Sequence, residues 1–220
     1  MQPSHVVADP LAAAHQAARE HWARCADTEA APPDYYAVQE HVLRNAVLPL
    51  IGPVERALDI GCGDGYFSAV IAEHCREVMG LDLSPALIEK AQRLAVERGL
   101  PGLHFGVHDA ELPFPARPAP LVSCMGVLST LIDDTAFLRL AVQLVTHTTP
   151  GGHLVTKDTV CHGHAELNAA RQPPRVYRNA NRYVSTFMAL GLELVGEFHL
   201  AQWTANRLNA LWVWRAPRVR

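Results

Sequence analysis

The sequence predicts an α/β fold, a mostly parallel β-sheet with helices on both faces. The first observation is that short apolar segments alternate with helical patterns along the middle of the chain. The second is a glycine-rich turn at 61–65, which joins the first of these strands to a helix. The third is a pair of strands, 193–199 and 210–215, with no helical pattern between them. This pair indicates an antiparallel arrangement at the edge of the sheet.

Composition supports one globular domain. Of the 220 residues, 49% are hydrophobic and 19% are charged, which is typical of a chain with a sizeable core. No apolar stretch approaches the ~20 residues of a membrane-spanning helix, and the first ten residues do not resemble a secretory signal. Five widely scattered cysteines make a poor disulfide framework. We therefore expect a cytoplasmic protein.

The net charge of −3 is unevenly distributed. Residues 171–220 contain eight arginines and two glutamates, whereas the first 170 residues are acidic. A basic surface suits an anionic substrate or a nucleic acid, but a solvated surface or salt bridges to the acidic part explain it equally well.

Local signals define the individual elements. Pro10 marks the start of the first helix, and Ser84 is a good N-cap for a later one. Strands are predicted at 56–60, 77–81, 103–107, 121–125 and 152–156. Helices are predicted at 11–25, 34–48, 65–75, 85 to before Gly99, 133–146 and 180–190. Residues 1–50 are interpreted as a helical cap on a domain of residues 51–220. Within that domain, 158–179 is long for a connector and is a candidate functional loop.

The sharpest motif is the turn after the first strand. Gly61, Gly63 and Gly65 let the backbone turn tightly, and they let a ligand come closer than a Cβ would allow. The helix that follows would direct free backbone N–H groups at the same ligand.

Three carboxylates accompany this turn. Asp82 follows the second strand, where it can hold a ribose diol. Asp109 follows the third strand, where it can accept a hydrogen bond from an adenine amino group. Asp59 would repel the pyrophosphate of a dinucleotide but would attract a cationic amino group. A dinucleotide site also normally has the pattern G-x-G-x-x-G, and here the third glycine comes one position early. Asp59 and the spacing of the third glycine together disfavour a nicotinamide or flavin site.

With these residues in view, the chain resembles the class I S-adenosylmethionine-dependent methyltransferase family. The matching motifs are Leu58–Gly65, Gly80–Ser84, His108–Ala110 and Thr149–Leu154, and the resemblance covers about residues 55–160. It implies a Rossmann-like, seven-stranded, mostly parallel sheet with the last strand antiparallel. One departure is the stretch Arg117–Leu121, which lacks the acidic residue that many members have before the fourth strand.

The resemblance also implies the cofactor, S-adenosyl-L-methionine, with S-adenosyl-L-homocysteine as product. Asp59 and the glycines would lie near the methionine part, Asp82 at the ribose, and Asp109 and Ala110 at the adenine. Tyr35 and Tyr36 could close over the cofactor, because aromatic faces suit a sulfonium; the alternative is that one of them packs into the core. The predicted cofactor-binding residues are Tyr36, Asp59, Gly61, Gly63, Gly65, Asp82, Leu83, Asp109, Ala110 and Met125.

Methyl transfer from a sulfonium depends mainly on positioning and desolvation, so the absence of a catalytic triad is not evidence against it. The segment at 158–179 offers Tyr177 and Asp158 as the leading catalytic candidates; His162, His164 and Arg178 are further ones. The run at 161–164 invites a metal hypothesis, but no second Cys/His pair follows at zinc-site spacing, so no metal is predicted.

The favoured activity is methyl transfer to an oxygen or nitrogen of a small molecule in specialised metabolism. Intramolecular displacement giving methylthioadenosine and a non-catalytic binding module remain open. A nucleic-acid methyltransferase is a rival, but residues 31–35 contain only a scrambled relative of the amine-binding motif, and the net charge is negative. We expect a small-molecule substrate, no nucleic acid, no membrane, and a monomer or homodimer. In a homodimer, strand 210–215 could pair between subunits.

Overall fold

The computed structural model describes residues 10–28, 33–168 and 173–218. Residues 1–9, much of the scrambled motif at 31–35, and two of the eight C-terminal arginines, Arg171 and Arg220, lie outside these ranges.

Seven α-helices are described, and most begin where a local signal predicts. Ser84 caps one of them by accepting from Leu87 N at 3.1 Å, and Asn179 caps another by accepting from Arg182 N at 3.1 Å. The helices are α1 (Pro10–Arg24), α2 (Pro33–Val42), α3 (Leu48–Ile51), α4 (Tyr66–Ile71), α5 (Pro85–Glu97), α6 (Asp134–His147) and α7 (Ala180–Ala189). A π-helical turn, Leu43–Val47, joins α2 to α3. The predicted helix 34–48 therefore continues through Pro49, because proline is tolerated in the first turn of α3.

The strands form a seven-stranded sheet with the predicted topology class. They are β1 (Val54–Ile60), β2 (Cys75–Asp82), β3 (Leu103–Val107), β4 (Ala119–Met125), β5 (Thr148–Cys161), β6 (Glu166–Asn168), β7 (Arg175–Tyr177), β8 (Glu193–Thr204) and β9 (Arg207–Arg215). The order in the large sheet is β3-β2-β1-β4-β5-β9-β8, and β6 and β7 form a separate hairpin. Strands β1 to β5 are parallel to one another, whereas β9 is antiparallel to both β5 and β8.

The position of β9 corrects one sequence interpretation. The segment 210–215 is not an edge strand, because β9 lies between β5 and β8 and is paired on both sides. Pairing of this strand between subunits therefore has no structural basis. The outer strands of the sheet are β3 and β8.

Two other elements differ from prediction. The helix predicted at 65–75 ends at Ile71, because the chain must turn back into β2 at Cys75. The strand predicted at 152–156 extends to Cys161, and β6 and β7 follow it, so much of the candidate loop 158–179 is ordered as strand and hairpin.

The core is divided between the two faces of the sheet. Helices α6 and α7 cover one face, where Trp212 and Trp214 are fully buried and Phe187 stacks on Trp214 at 5.1 Å. The π-helical turn and α4 cover the other, where Val47 and Val213 have no exposed surface. Because parallel strands end together, the segments after β1, β2, β3 and β4 meet at one edge of the sheet. In the described ranges, no helix has both the length and the apolar character needed to cross a membrane.

Candidate functional site

The glycine turn forms the floor of the site. Gly61, Gly63 and Gly65 all have positive φ, at 70°, 57° and 82°. A Cβ on Gly61 would come within 2.0 Å of Val127 Cγ2, so only glycine fits between the turn and the segment after β4. Gly61 and Gly63 line the cavity. Gly65 does not line it. A Cβ there would come within 2.7 Å of the Phe105 ring, so this glycine serves the close packing of α4.

Asp82 lies at the end of β2 and faces the cavity. Its Oδ2 accepts from Gly63 N at 2.9 Å, and its Oδ1 accepts from Ser84 N at 2.9 Å. Burial raises the pKa of this carboxyl above its usual value, although the backbone N–H groups oppose that shift. The two hydrogen bonds fix the carboxylate beside the glycine turn, where its remaining lone pairs suit a vicinal diol.

The third predicted carboxylate, Asp109, also lines the cavity, together with Leu83 and Ala110. Its Oδ1 accepts from Glu111 N at 2.9 Å, and its Oδ2 is paired with the Arg19 guanidinium from α1. Helix α1 thus covers this end of the cavity through ion pairs, an arrangement that the sequence does not indicate.

Asp59 is placed differently from the expectation. It is 2% exposed and does not line the cavity. Both carboxylate oxygens point beneath the turn, where they accept from Ser68 Oγ at 2.5 Å and Ser123 Oγ at 2.6 Å. Burial raises its pKa, with Asp82 adding to the rise. Direct contact between Asp59 and a cationic amino group therefore has no support in this structure; Asp59 ties β1 to α4 and β4.

Three further residues that sequence analysis selects also line the cavity. Tyr36 lines the cavity and stacks on Phe67, with ring centres 5.9 Å apart. Met125 lines it at the end of β4. Tyr177, from β7, also lines it and lies under the Arg207 guanidinium, 4.6 Å from the ring centre. Tyr177 thus lies at the wall of the cavity and is largely covered by its neighbours.

Asp158 does not lie at this wall. It is 1% exposed and lies on the opposite side of β5 from the cavity, where Oδ1 accepts from Ser129 N at 3.1 Å and Oδ2 accepts from Tyr183 Oη at 3.4 Å. Burial raises its pKa. The predicted catalytic role has no geometric support, because the carboxylate anchors the segment after β4 and does not reach the cavity.

Arg178, a further loop candidate, and Cys161, from the run at 161–164, are structural, and His162 and His164 do not line the cavity. Arg178 is 3% exposed and donates to the Leu128 and Leu131 carbonyls. The Cys161 thiol is buried and donates to the His164 carbonyl at 3.1 Å. Within the ranges that the structure describes, no three His, Cys, Asp or Glu side chains are grouped to hold a metal.

Several cavity residues escape the sequence analysis. Lys157 and Thr159 come from the extension of β5, and Arg207 and Asn209 come from the facing part of β9. The sequence contains one signal for the β5 residues, the alternation of side chains along a strand. Val155, Lys157 and Thr159 occupy every second position, so they share one face if the strand continues past its predicted end. These residues form a wall that reaches beyond the ends of the neighbouring strands.

Together these residues enclose a cavity of about 570 Å³. Its charged residues are unevenly distributed. The carboxylates that line it, Asp64, Asp82, Asp109 and Glu111, all belong to the part near the glycine turn and α1. At the wall formed by β5, β7 and β9, the charged lining residues are Lys157, Arg175 and Arg207. Arg19 of α1 also lines the acidic part, where it pairs with Asp109, and Arg207 is paired with Glu166 at 2.8 Å, so both parts contain compensated charges.

Three of the residues that line the cavity carry buried polar atoms that suggest what kind of molecule binds there. Tyr35 Oη, Gln39 Oε1 and Asn209 Oδ1 are buried and, within the described part of the chain, have no hydrogen-bond partner. Since buried polar atoms in native proteins are normally paired, they indicate a polar occupant.

Comparison with known proteins identifies the class of this domain. Residues 57–152 match a family model described as a methyltransferase domain. The segment that carries the glycine turn and Asp82 is therefore a methyltransferase domain.

The chain is similar to individual members of that class. It is 46% identical over 91 residues to the aklanonic acid methyltransferase DauC of Streptomyces sp. strain C5, a match that covers 40% of each chain. It is 32% identical over 102 residues to the ubiquinone biosynthesis O-methyltransferase of Proteus mirabilis, covering 46% of this chain and 40% of that one. The matches thus span about two-fifths of these curated relatives.

Among solved structures, the chain resembles the N-methyltransferase NodS of Bradyrhizobium japonicum in complex with S-adenosyl-L-homocysteine. The TM-score is 0.69 at 21% identity, covering 93% of this chain and 99% of NodS. At that identity the likeness concerns the fold.

Proposed function

We propose that this protein transfers a methyl group from S-adenosylmethionine to an oxygen or nitrogen of a small organic acceptor. The observation that carries the proposal is the single cavity that joins the glycine turn and Asp82 to the basic wall of β5, β7 and β9. Its volume of about 570 Å³ lies in the range of small-molecule sites. The names of the relatives, which include an acid methyltransferase, are consistent with such an acceptor.

The residues present suit the cofactor. Gly61 and Gly63 bring backbone, with positive φ, to the surface of the cavity, and Asp82 is held by backbone donors where a ribose would bind. Leu83 and Ala110 provide apolar contacts beside it for an adenine. Aromatic faces attract cations, so Tyr36 is suited to lie near a sulfonium.

When bound, the cofactor supplies a methyl group that is already activated by its sulfonium. The chain has to orient the acceptor in line with that group and to exclude water. Helix α1 and the Tyr35 ring cover the cavity, and Trp203 from β8 packs against Tyr35 with ring centres 5.0 Å apart. Tyr177 and the polar wall of β5 and β9 would orient the acceptor.

Calorimetry with S-adenosylmethionine, S-adenosylhomocysteine and NAD tests this function. We expect both adenosyl ligands to bind and NAD not to bind. Asp82→Ala removes the acceptors of the ribose hydrogen bonds and should weaken adenosyl binding by at least tenfold, since a hydrogen bond to a charged group contributes about 1.5–3 kcal/mol. Glu89→Ala, an exposed carboxylate on α5, should bind as the wild type does. Binding of NAD alone would refute the proposal.

Product analysis then separates methyl transfer from other uses of the sulfonium. Incubation with S-adenosylmethionine and candidate acceptors should yield S-adenosylhomocysteine and a product heavier by one methyl group. Methylthioadenosine as the only nucleoside product would instead establish intramolecular displacement.

A further inference from the structure

One cation in the cavity has no counter-ion. Lys157 lies on β5 between Met125 on β4 and Leu211 on β9, and its side chain lines the cavity. Its Nζ is 6.0 Å from the centre of the Tyr35 ring and 3.5 Å from where a Cβ on Gly126 would be. Across the described ranges, the ammonium makes neither a hydrogen bond nor an ion pair.

The groups around Lys157 do not neutralise it. Asp158, the next residue, favours its charged form, but that carboxylate is directed to Ser129 on the other side of the strand. Arg175 on β7 opposes the charge, and the Cys124 thiol on β4 favours it. Burial is the largest influence, and it lowers the pKa of Lys157 to about 8. A desolvated ammonium in this position would be stabilised by an anion from outside the chain.

A second donor lies on the same face of β5. Thr159 is two residues along the strand, so its side chain points to the same side as that of Lys157. Asn209 Nδ2 donates to Thr159 Oγ1 at 2.9 Å. Since the threonine oxygen accepts this bond, its own hydrogen remains available to donate into the cavity.

We propose that Lys157 binds an anionic oxygen of the methyl acceptor, with Thr159 as a second donor, so that this enzyme takes acids and not neutral alcohols or amines. The acceptor class is a small carboxylate or an ionised phenol, which share this chemistry. The proposal rests on the proposed function for the identity of the occupant, but the binding of an anion at Lys157 can be measured without methyl transfer.

The sequence provides a direct probe, because it contains two lysines, Lys90 and Lys157. Protein labelled with ¹³C at lysine Cε should give two lysine signals, and Lys90→Arg assigns them. A pH titration should show Lys157 with a midpoint near 8. Saturating benzoate should raise that midpoint by at least one pH unit, which equals a tenfold preference of the anion for charged lysine. Benzamide, its neutral counterpart, should leave the midpoint unchanged.

Binding affinities supply the matched comparison. Lys157→Met keeps an unbranched side chain, one atom shorter, but removes the charge, and it should lower benzoate affinity by about 10- to 100-fold while leaving benzamide affinity unchanged. Lys90→Met removes an exposed lysine that is paired with Asp27, and it should change neither affinity. Parallel titrations with 2,4-dinitrophenolate show whether a carboxylate or a phenolate is preferred.

Some results would overturn the proposal. If neither benzoate nor dinitrophenolate moves the Lys157 midpoint up to the solubility limit, or if benzamide moves it equally, Lys157 is not an anion site. The wild-type titration decides this even if Lys157→Met fails to fold. S-adenosylhomocysteine binding separates the two proposals: an unresponsive lysine in a protein that binds it overturns this inference alone. A responsive lysine in a protein that does not bind it overturns the proposed function alone.

Discussion

Replacing Arg178 with methionine tests whether the segment after β4 is held in place from behind the cavity. The guanidinium is 3% exposed and donates to the Leu128 carbonyl at 2.9 Å and the Leu131 carbonyl at 2.8 Å. It also donates to Asp134 at 3.0 Å and lies 4.1 Å from the centre of the Phe137 ring. Methionine keeps an apolar contact with that ring but removes every donor.

The expected cost follows from the acceptors that remain. Leu128 and Leu131 are 0% and 5% exposed, so neither carbonyl gains water when the guanidinium is lost. Each buried acceptor without a partner costs about 1–3 kcal/mol, which predicts a loss of about 2–6 kcal/mol in the free energy of unfolding. Asp134 adds little, because it is half exposed and keeps Arg182 as a partner at 2.8 Å. The loss is a large fraction of a typical domain stability of ~5–15 kcal/mol.

Urea unfolding, followed by circular dichroism, measures this loss. Arg182→Met is the matched control, because Arg182 binds the same Asp134 from an exposed position, and its loss should cost less than about 1 kcal/mol. S-adenosylhomocysteine affinity should also fall in Arg178→Met, since residues 126–127 and 129–131 line the cavity. Equal free energies of unfolding for the two variants would show that Arg178 does not hold the segment after β4 in place.

Two further predictions concern the cavity itself. Gly61 and Gly52 have similar positive φ values, 70° and 76°, but only at Gly61 would a Cβ meet another atom, Val127 Cγ2. Gly61→Ala should therefore lose S-adenosylhomocysteine affinity in calorimetry and Gly52→Ala should not; equal losses would contradict the crowding argument. The pKa of Lys157 is about 8 in the folded protein, whereas its ordinary value is 10.5. The charged lysine therefore lowers the free energy of unfolding below pH 8, and this penalty disappears as the pH rises from 8 to 10.5. Lys157→Met should be more stable than wild type to urea by up to about 3 kcal/mol at pH 7, with the difference vanishing near pH 10.5; a pH-independent difference would contradict this.

The cofactor half could be predicted because its signals are local. The glycine turn requires positive φ within five residues, and Asp82 follows directly after its strand. Spacing does not, however, determine the side of the sheet to which a carboxylate points. Asp59 precedes the turn as expected, yet it faces the hydroxyls of Ser68 and Ser123 beneath it.

The acceptor half depends on contacts between distant residues. The polar run after Thr156 lacks the apolar character of a buried strand, so the sequence predicts a loop there. The structure continues β5 instead, because β9 pairs with it as far as Cys161. On that extended strand, Lys157 faces the cavity and Asp158 faces Tyr183, an assignment that requires the register of β9 to be known.

The place of β9 in the sheet has a consequence for synthesis on the ribosome. Strand β8 joins the large sheet only through β9, which is made after it. Residues 54–125, which carry the glycine turn and Asp82, therefore emerge well before Asn209 on the acceptor wall. At ~5–20 residues per second, the interval is several seconds. The strands that carry the glycine turn and Asp82 are thus synthesised several seconds before the wall of β5, β7 and β9 is complete.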